Sequence, residues 1–331
     1  MPEPRKNAPE GYPRLKVFHA DRDFRILVFH DGIDAIPSLA ASGLLTGSIC
    51  YFTFSWHVSE KSLDHIAKRI SEANDALGNA EEALRHVRFL LNSRDEFDRA
   101  RTRFPEETCV FFNNAALLNE RHFQLSSGAK EFDAIYNARA NDFKRHRLTR
   151  EVGNKAFLCY DWKWADLDLR ELSPREIFRN VKGLEVADIV GRGRTGLILS
   201  AEEGACYASL EYLLCGLPVI STPSIGGRDE FYTPQNSIIC DPSPEAVAQA
   251  VKTALSKLDD TVFDPARIRA DALARMAWFR ENLARDISAS TRLFGFEPPS
   301  PDELHRKILQ TNKLWRYRNM RTKSVDEFKP A

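Results

Sequence analysis

Glu203 and Glu211 stand eight residues apart, the first at the expected start of a helix and the second inside it. On an ideal helix eight residues advance about 12 Å and turn roughly 80° beyond two full turns. Two carboxylates so placed can each accept hydrogen bonds from a hydroxyl-rich group. Between them, an anion would meet the helix start near Glu203 and Gly204, where backbone N–H groups and the helix dipole favour phosphate. A sugar, a diphosphate and a ribose joined in that order have this layout, so a nucleotide sugar fits the spacing. Taken alone, the spacing is more often that of a solvated helix with two surface glutamates.

The elements that must hold these residues can be read around them. Gly196-Leu-Ile-Leu-Ser200 is the apolar run of a buried strand, and Ala201-Glu-Glu-Gly204 turns the chain. Ala205 to Cys215 reads as a helix, because Leu210, Leu213, Leu214 and Leu217 recur at the spacing of one helical face. Gly216 followed by Pro218 stops it. Pro218-Val-Ile-Ser-Thr222 is a second short strand, and Gly226-Gly227 makes the loop after it. Strand, helix and strand in this order form a βαβ unit, so a parallel sheet is expected.

The stretch as a whole resembles the C-terminal donor half of retaining glycosyltransferases of the GT-B fold, the large family 4 type (glycosyl transferases group 1). That family has a Ser at a strand end, a Glu, seven residues, a second Glu, then Ala/Gly-x-Pro-Val-Ile/Val and a Gly-Gly-x-x-Glu turn. Here these are Ser200, Glu203, Glu211, Gly216-Leu-Pro-Val-Ile220 and Gly226-Gly227-Arg-Asp-Glu230. The resemblance implies a donor site of Ser200, Gly204, Glu211, Gly226, Gly227 and Glu230, with Glu203 on the donor-sugar hydroxyls and Glu211 on the ribose. The family also places an Arg and, five residues on, a Lys after the first strand of the donor domain, to neutralise the diphosphate. Arg139 and Lys144 keep that spacing without the flanking glycines. Two cations in a water-poor cleft would stabilise a diphosphate leaving group. Arg145, His146 and Arg147 continue the run, as they would in an ordinary basic surface loop. Where the family has Phe-Gly after the first Glu-Gly, this chain has Ala205-Cys206, so a side chain stands where the diphosphate needs room.

At 331 residues the chain has room for two domains, each able to bury a core. Lys plus Arg equals Asp plus Glu at 47 each, so no global charge recruits nucleic acid or membrane. No apolar run reaches the roughly 18 residues of a membrane span. Met1-Pro-Glu-Pro-Arg-Lys-Asn lacks the apolar stretch of a signal peptide. Cysteines at 50, 109, 159, 206, 215 and 240 show no Cys-x-x-Cys or Cys/His spacing, as expected of reduced thiols in a cytoplasmic protein.

Along the chain, residues 1 to 14 read as an irregular arm. Strands are expected at 25–30, 49–54, 87–91 and 109–112, with helices at 35–45, from Ser59 through Leu77 and towards Leu84, and at 95–103. This alternation implies a Rossmann-like sheet. A linker is expected from Asn113-Asn114 to about Lys130, where Asn113, Asn114 and Asn119 suit turns. The second sheet opens with Phe132 to Tyr136, followed by Ala156 to Tyr160 and by a helix start at Ser173-Pro174-Arg-Glu176. Beyond the βαβ unit come a strand at 237–240 and helices at 243–258, 266–290 and from about Asp302.

The expectation is thus an α/β protein of GT-B architecture, two Rossmann-like domains facing a cleft, with a reduced N-terminal domain. Its parts are an acceptor-side domain at 1–128, a donor domain at 129–297 and a tail at 298–331 that crosses back to the N-terminal domain. The implied activity is retaining, metal-independent transfer of a sugar from a nucleotide diphosphate sugar to an acceptor hydroxyl, with Glu203, Arg139 and Lys144 as the catalytic groups. The alternative is a nucleotide-sugar-binding partner subunit with little catalysis. No cofactor beyond the donor substrate is expected, and the acceptor is a glycan, a lipid-linked group or a small molecule. His57, after the second strand, could face the acceptor or be an ordinary hydrogen-bonded histidine. Asp21-Arg-Asp23 and Asp166-Leu-Asp168 resemble metal-binding triplets but lie away from the donor unit, so no metal site is expected. Gly191-Arg-Gly193-Arg-Thr-Gly196 precedes a strand, so it fails as a dinucleotide motif. Residues 304–325 carry seven Lys and Arg and no acid, with Leu304, Ile308, Leu309, Trp315 and Tyr317 between them. That basic end would suit peripheral contact with an anionic inner membrane face.

Overall fold

The computed structural model describes residues 14–20, 23–160 and 167–309. The chain divides into two compact units, Met1–Leu118 with Trp278–Ala331, and Asn119–Ala277. The boundaries drawn from the sequence were at 128 and 297.

The first unit opens with β1 (Arg14–Ala20) and β2 (Arg25–His30), followed by α1 (Ile36–Ala41), β3 (Ser48–Thr53), α2 (Glu60–Leu77) and α3 (Glu82–His86). β4 (Val87–Leu91), α4 (Arg94–Arg101) and β5 (Cys109–Phe111) complete its sheet. The strands lie side by side in chain order, β1 antiparallel to β2 and the rest parallel. β1 shares only Arg14 with the segment expected to be an irregular arm and runs on through residues to which no element was assigned; residues 1–13 are outside the described residues. α2 starts on the Ser59 hydroxyl, which accepts from Ser62 N at 3.3 Å. It stops at Gly78, whose φ of 67° is left-handed, so it does not run on to Leu84. α4 starts on Ser93, whose hydroxyl accepts from Glu96 N at 3.1 Å. The Glu96 carboxylate in turn accepts from the Val58 and Asn92 amides at 3.0 and 2.7 Å, fixing the loops after β3 and β4. Leu27, Phe29, Cys50, Phe52, Phe89 and Leu91 pack under these helices.

The second unit contains β6 (Phe132–Asn137), β7 (Lys155–Cys159), β8 (Glu176–Arg179), α5 (Leu184–Gly191) and β9 (Gly193–Ile198). α6 (Tyr207–Leu214), β10 (Val219–Ser221), β11 (Ser237–Ile239) and α7 (Pro244–Asp259) follow. All six strands are parallel, in the order β11-β10-β9-β6-β7-β8. Two expectations are corrected here. The helix start at Ser173-Pro174 is instead the approach to β8: Ser173 is left-handed at φ 51°, Arg175 N donates to Lys155 O at 2.9 Å, and Glu176 to Arg179 pair with Ala156 to Cys159. Strand pairing in the sheet overrides a local capping pattern. The helix expected from Ala205 begins at Tyr207, so Glu203 lies in the loop before it and the helical spacing between the two glutamates does not apply.

α8 (Pro265–Leu293) begins in the second unit and ends in the first, and α9 (Pro301–Leu309) follows. Within the first unit α8 covers the sheet face opposite to the helices. Tyr51 donates to Asp286 at 2.7 Å, Arg88 to Ser290 at 3.1 Å, and Phe111 meets Phe279 edge-on at 5.2 Å. Arg280 donates to the carbonyls of Ala116 and Leu118 at 2.8 and 2.7 Å, holding the chain after β5. α9 buries Leu304 and Ile308. Most of the basic stretch at 304–325 lies outside the described residues. Among the described residues no helix is long and apolar enough to cross a membrane.

Candidate functional site

The strand order of the second unit reverses between β6 and β9. β7 and β8 extend to one side of that pair, β10 and β11 to the other. Connections leaving the carboxyl ends of two such strands diverge, which opens a crevice where ligands of open α/β sheets bind. The loop after β6 carries Arg139 and Lys144, and the loop after β9 carries Ser200 to Gly204.

Lys144 reaches across this crevice and pairs with Glu203 Oε1. Ser200 donates from Oγ to the same oxygen at 2.6 Å. Glu203 is almost fully buried, so its charge needs these donors. Lys144 is itself placed by Tyr136, whose hydroxyl donates to the Lys144 carbonyl and accepts from Leu199 N at 3.3 Å. The Lys144 ammonium also lies 4.8 Å from the Phe143 ring centre. His146 is buried, its ring 4.5 Å from the Tyr136 ring and 5.5 Å from that of Phe157. Burial, with Lys144 near, pushes its pKa down to about 4, so the imidazole is neutral at ordinary pH.

A second contact joins the same two sides. Asn137, the last residue of β6, donates from Nδ2 to Glu211 Oε2 at 2.9 Å. Its backbone N–H donates to the Tyr212 hydroxyl. α6 therefore sets Glu211, itself buried, against the carboxyl end of β6, while Tyr212 lies on β9. A Cβ at Gly196 would collide with the Tyr212 ring, and one at Gly193 would stand 2.9 Å from Ile135. Of the glycines that mimic a dinucleotide motif, Gly196 allows the close packing of α6 on β9, and Gly193 leaves room for Ile135 of the neighbouring strand.

The loops after β9 and β10 are zipped together. Glu203 N donates to Ile225 O at 3.0 Å and Ile225 N to Ala201 O at 2.9 Å. Gly226 then turns with φ 103°, which disfavours any side chain, and Gly227 opens a short 3-10 turn. Beneath them Arg228 is fully buried and donates to the Ser200 carbonyl at 2.7 Å, to the Thr222 carbonyl and to Asp229 at 2.6 Å. Arg145, left-handed at φ 52°, donates to the Leu199 carbonyl and to Thr222 Oγ1 at 2.6 Å. Cys206 caps α6 in a left-handed conformation (φ 49°) with no side-chain capping bond. Burial pushes its thiol up to about 12, so it stays protonated.

The structure thus brings together Lys144, Ser200 and Glu203, with Gly204, Glu211, Gly226 and Gly227 around them. Arg139, in the same loop as Lys144, is exposed. Other expected residues stand elsewhere. Glu230 pairs with Arg275 of α8 at 3.0 Å. His57 belongs to the first unit, its ring 6.3 Å from that of Trp56. Asp168 is engaged by Arg170, while Asp21 and Asp166 lie outside the described residues. Among the described residues no three His, Cys, Asp or Glu side chains gather as a metal site requires. The sequence reading passed over Tyr136, Asn137, Thr222 and Arg228. Arg228 stands between the paired glycines and Glu230, and Arg145 entered only as part of the basic run that a surface loop would also have. In the first unit a pocket at the carboxyl ends of β2 and β3 is lined by Asp31, Asp34, Phe54, Lys61 and His65. His65 and Asp34 are hydrogen-bonded there at 2.7 Å.

No family model matches the chain, and no curated protein matches it in sequence. Solved structures match it in fold. HepE of Anabaena, determined with UDP, is similar with a TM-score of 0.61 over 79% of this chain and 78% of its own, at 14% identity. Sucrose-phosphate synthase of Thermosynechococcus elongatus is similar at 0.52 over 86% of this chain and 74% of its own, at 12% identity. TarM of S. aureus is similar at 0.55 over 78% of this chain and 55% of its own, at 12% identity. All are GT-B glycosyltransferases. The fold is GT-B. Within that fold the Lys144–Glu203 and Asn137–Glu211 contacts mark the crevice of the second unit as the candidate site.

Proposed function

We propose that the chain is a retaining, metal-independent glycosyltransferase that moves a sugar from a nucleoside diphosphate sugar to an acceptor hydroxyl. The observation that carries this reading is the double contact across the strand-order reversal, Lys144 with Glu203 and Asn137 with Glu211. Support comes also from HepE, which has been determined with UDP-glucose, and from pneumococcal GtfA, determined with UDP and GlcNAc.

Glu203 takes hydroxyls of the donor sugar, Glu211 the ribose, and the crevice between them the diphosphate. In the reaction the bond from the anomeric carbon to the diphosphate oxygen breaks, its electron pair leaving with the diphosphate. The acceptor oxygen bonds to that carbon, and its proton passes to the departing phosphate oxygen. Delivery from the same face keeps the configuration and needs no protein nucleophile. Lys144 and Arg139 offset the negative charge that grows on the leaving group, and the amino end of α6 adds its dipole. The acceptor is a hydroxyl of a glycan, a lipid-linked group or a small molecule. We place the reaction in the cytoplasm, with the basic tail at the inner membrane face.

Two substitutions separate the roles. Glu211→Ala is expected to raise the donor KM, by about 1–3 kcal/mol of binding, with little change in kcat. Glu203→Gln is expected to lower kcat because the transferring sugar is misplaced. Wild-type kinetics in both variants with every accepted donor would refute the assignment.

A further inference from the structure

Parallel strands end in backbone carbonyls. At the carboxyl ends of β9 and β10 those of Leu199, Ser200 and Thr222 lie beside the crevice in which the proposed function seats a diphosphate. Bare carbonyl oxygens would repel that anion. Here each of the three is covered by a guanidinium: Arg145 on Leu199, Arg228 on Ser200 and Thr222. Arg145 adds the Thr222 hydroxyl, which itself donates to the Leu199 carbonyl at 3.2 Å. A left-handed backbone at Arg145 aims its side chain this way. Among the described residues the carboxylate of its neighbour Asp229, itself partly exposed, pairs with Arg228.

We infer that Arg145 and Arg228 are a positioning pair for the donor site: they lock the Ser200–Glu203 loop against the loop from Thr222 to Gly227 and turn the ends of the two strands from anion-repelling to anion-accepting. The inference rests on the nucleotide-sugar reading and adds to it. Lys144 and the exposed Arg139 meet the diphosphate, and the two arginines support that site from beneath, through the carbonyls they cover. A guanidinium suits this task better than an ammonium, because its planar fork reaches two carbonyls from different loops at once. The surface-loop interpretation of Arg145 leaves its buried partners unexplained.

The test compares a diphosphate with the matching nucleoside. Wild-type protein is titrated calorimetrically with UDP, GDP and ADP, and the diphosphate that binds is followed by its nucleoside and by inorganic pyrophosphate. Arg228→Gln and Arg145→Gln are expected to weaken the diphosphate and pyrophosphate by roughly tenfold or more while leaving nucleoside affinity within about twofold. Arg228→Lys should restore less than half of the loss in logarithmic terms, since one ammonium cannot serve two loops. A variant that weakens nucleoside and diphosphate equally, or neither, overturns the inference while the donor reading stands. If no diphosphate binds the wild type, the donor reading falls and this inference with it. Arg228→Gln leaves two buried carbonyls bare and its folding is checked by near-UV circular dichroism; should it fail to fold, Arg145→Gln, a half-buried residue, carries the same comparison.

Discussion

The two sheets are built of the same strand–helix alternation, yet only one has a site written into its topology. In the first unit the strands follow one another across the sheet from β1 to β5, so successive connections proceed in one direction and the helices collect on one face. The other face is closed by the end of α8. In the second unit the chain starts in the middle, builds outward to β8, then returns beside β6 and builds to β11. That return splits the loops at the β6–β9 boundary, and there the Lys144–Glu203 and Asn137–Glu211 contacts form. Sheet order decides where a crevice must be; composition does not.

The comparison can be broken most strongly at its glycines. Gly196→Ala drives a methyl group into the Tyr212 ring, so it should destabilise the second unit by about 3 kcal/mol, measured by urea denaturation. Gly43→Ala in the first unit meets nothing within 4 Å and has only its φ of 73° against it, so about 1 kcal/mol is expected. Equal losses would mean that β9 is not packed as tightly against α6 as the structure has it.

A smaller effect concerns pH. His146 has its pKa lowered in the folded state from 6.5 to about 4, so the unfolded chain binds the extra proton between those values. Its contribution is fully present above pH 6.5 and is lost as the pH falls towards 4. At pH 5 the loss should be about 2 kcal/mol. Thermal melts at pH 7.5 and 5 of wild type and His146→Phe measure it, and the variant should lose less on acidification. The same acid sensitivity in both proteins would rule out a neutral buried imidazole. The smallest change is Cys206→Gly. A left-handed residue becomes glycine at the start of α6, and stability should rise by about 0.5–1 kcal/mol. Donor KM should fall with it, because the side chain beside the diphosphate path is gone; an unchanged KM would place the diphosphate away from Cys206.

Most strands and helices were legible because their apolar runs are bounded by turn residues. Ser59 and Ser243 made two helix starts readable, while the Ser93 cap was passed over and α4 was expected from Asp95. β1 was missed because it follows a proline-rich stretch that masks the alternation of Leu15 and Val17 with Arg14 and Lys16. β8 and the left-handed Ser173 were misread because a capping box is a local signal, while the pairing of Glu176 to Arg179 with β7 is a long-range one. The domain boundary at Ala277 and Trp278 falls inside α8, and no linker composition marks a boundary inside a helix. At the candidate site, Ser200, Glu203, Glu211 and Lys144 were named from motif spacing. Their supports could not. Tyr136, Asn137, Tyr212 and Arg228 act through hydrogen bonds to backbone atoms or to residues far along the chain, and such partners leave no periodic trace.

The most direct measurement is product release. Purified protein is incubated with UDP, GDP, ADP and dTDP sugars, with EDTA present, and free nucleoside diphosphate is quantified beside the anomeric configuration of the released or transferred sugar. One donor should be turned over, slowly to water and faster with a hydroxyl acceptor, with the configuration retained and with the rate lost in Glu203→Gln. Tight binding of a donor without any turnover, or turnover only with added manganese, would contradict the account.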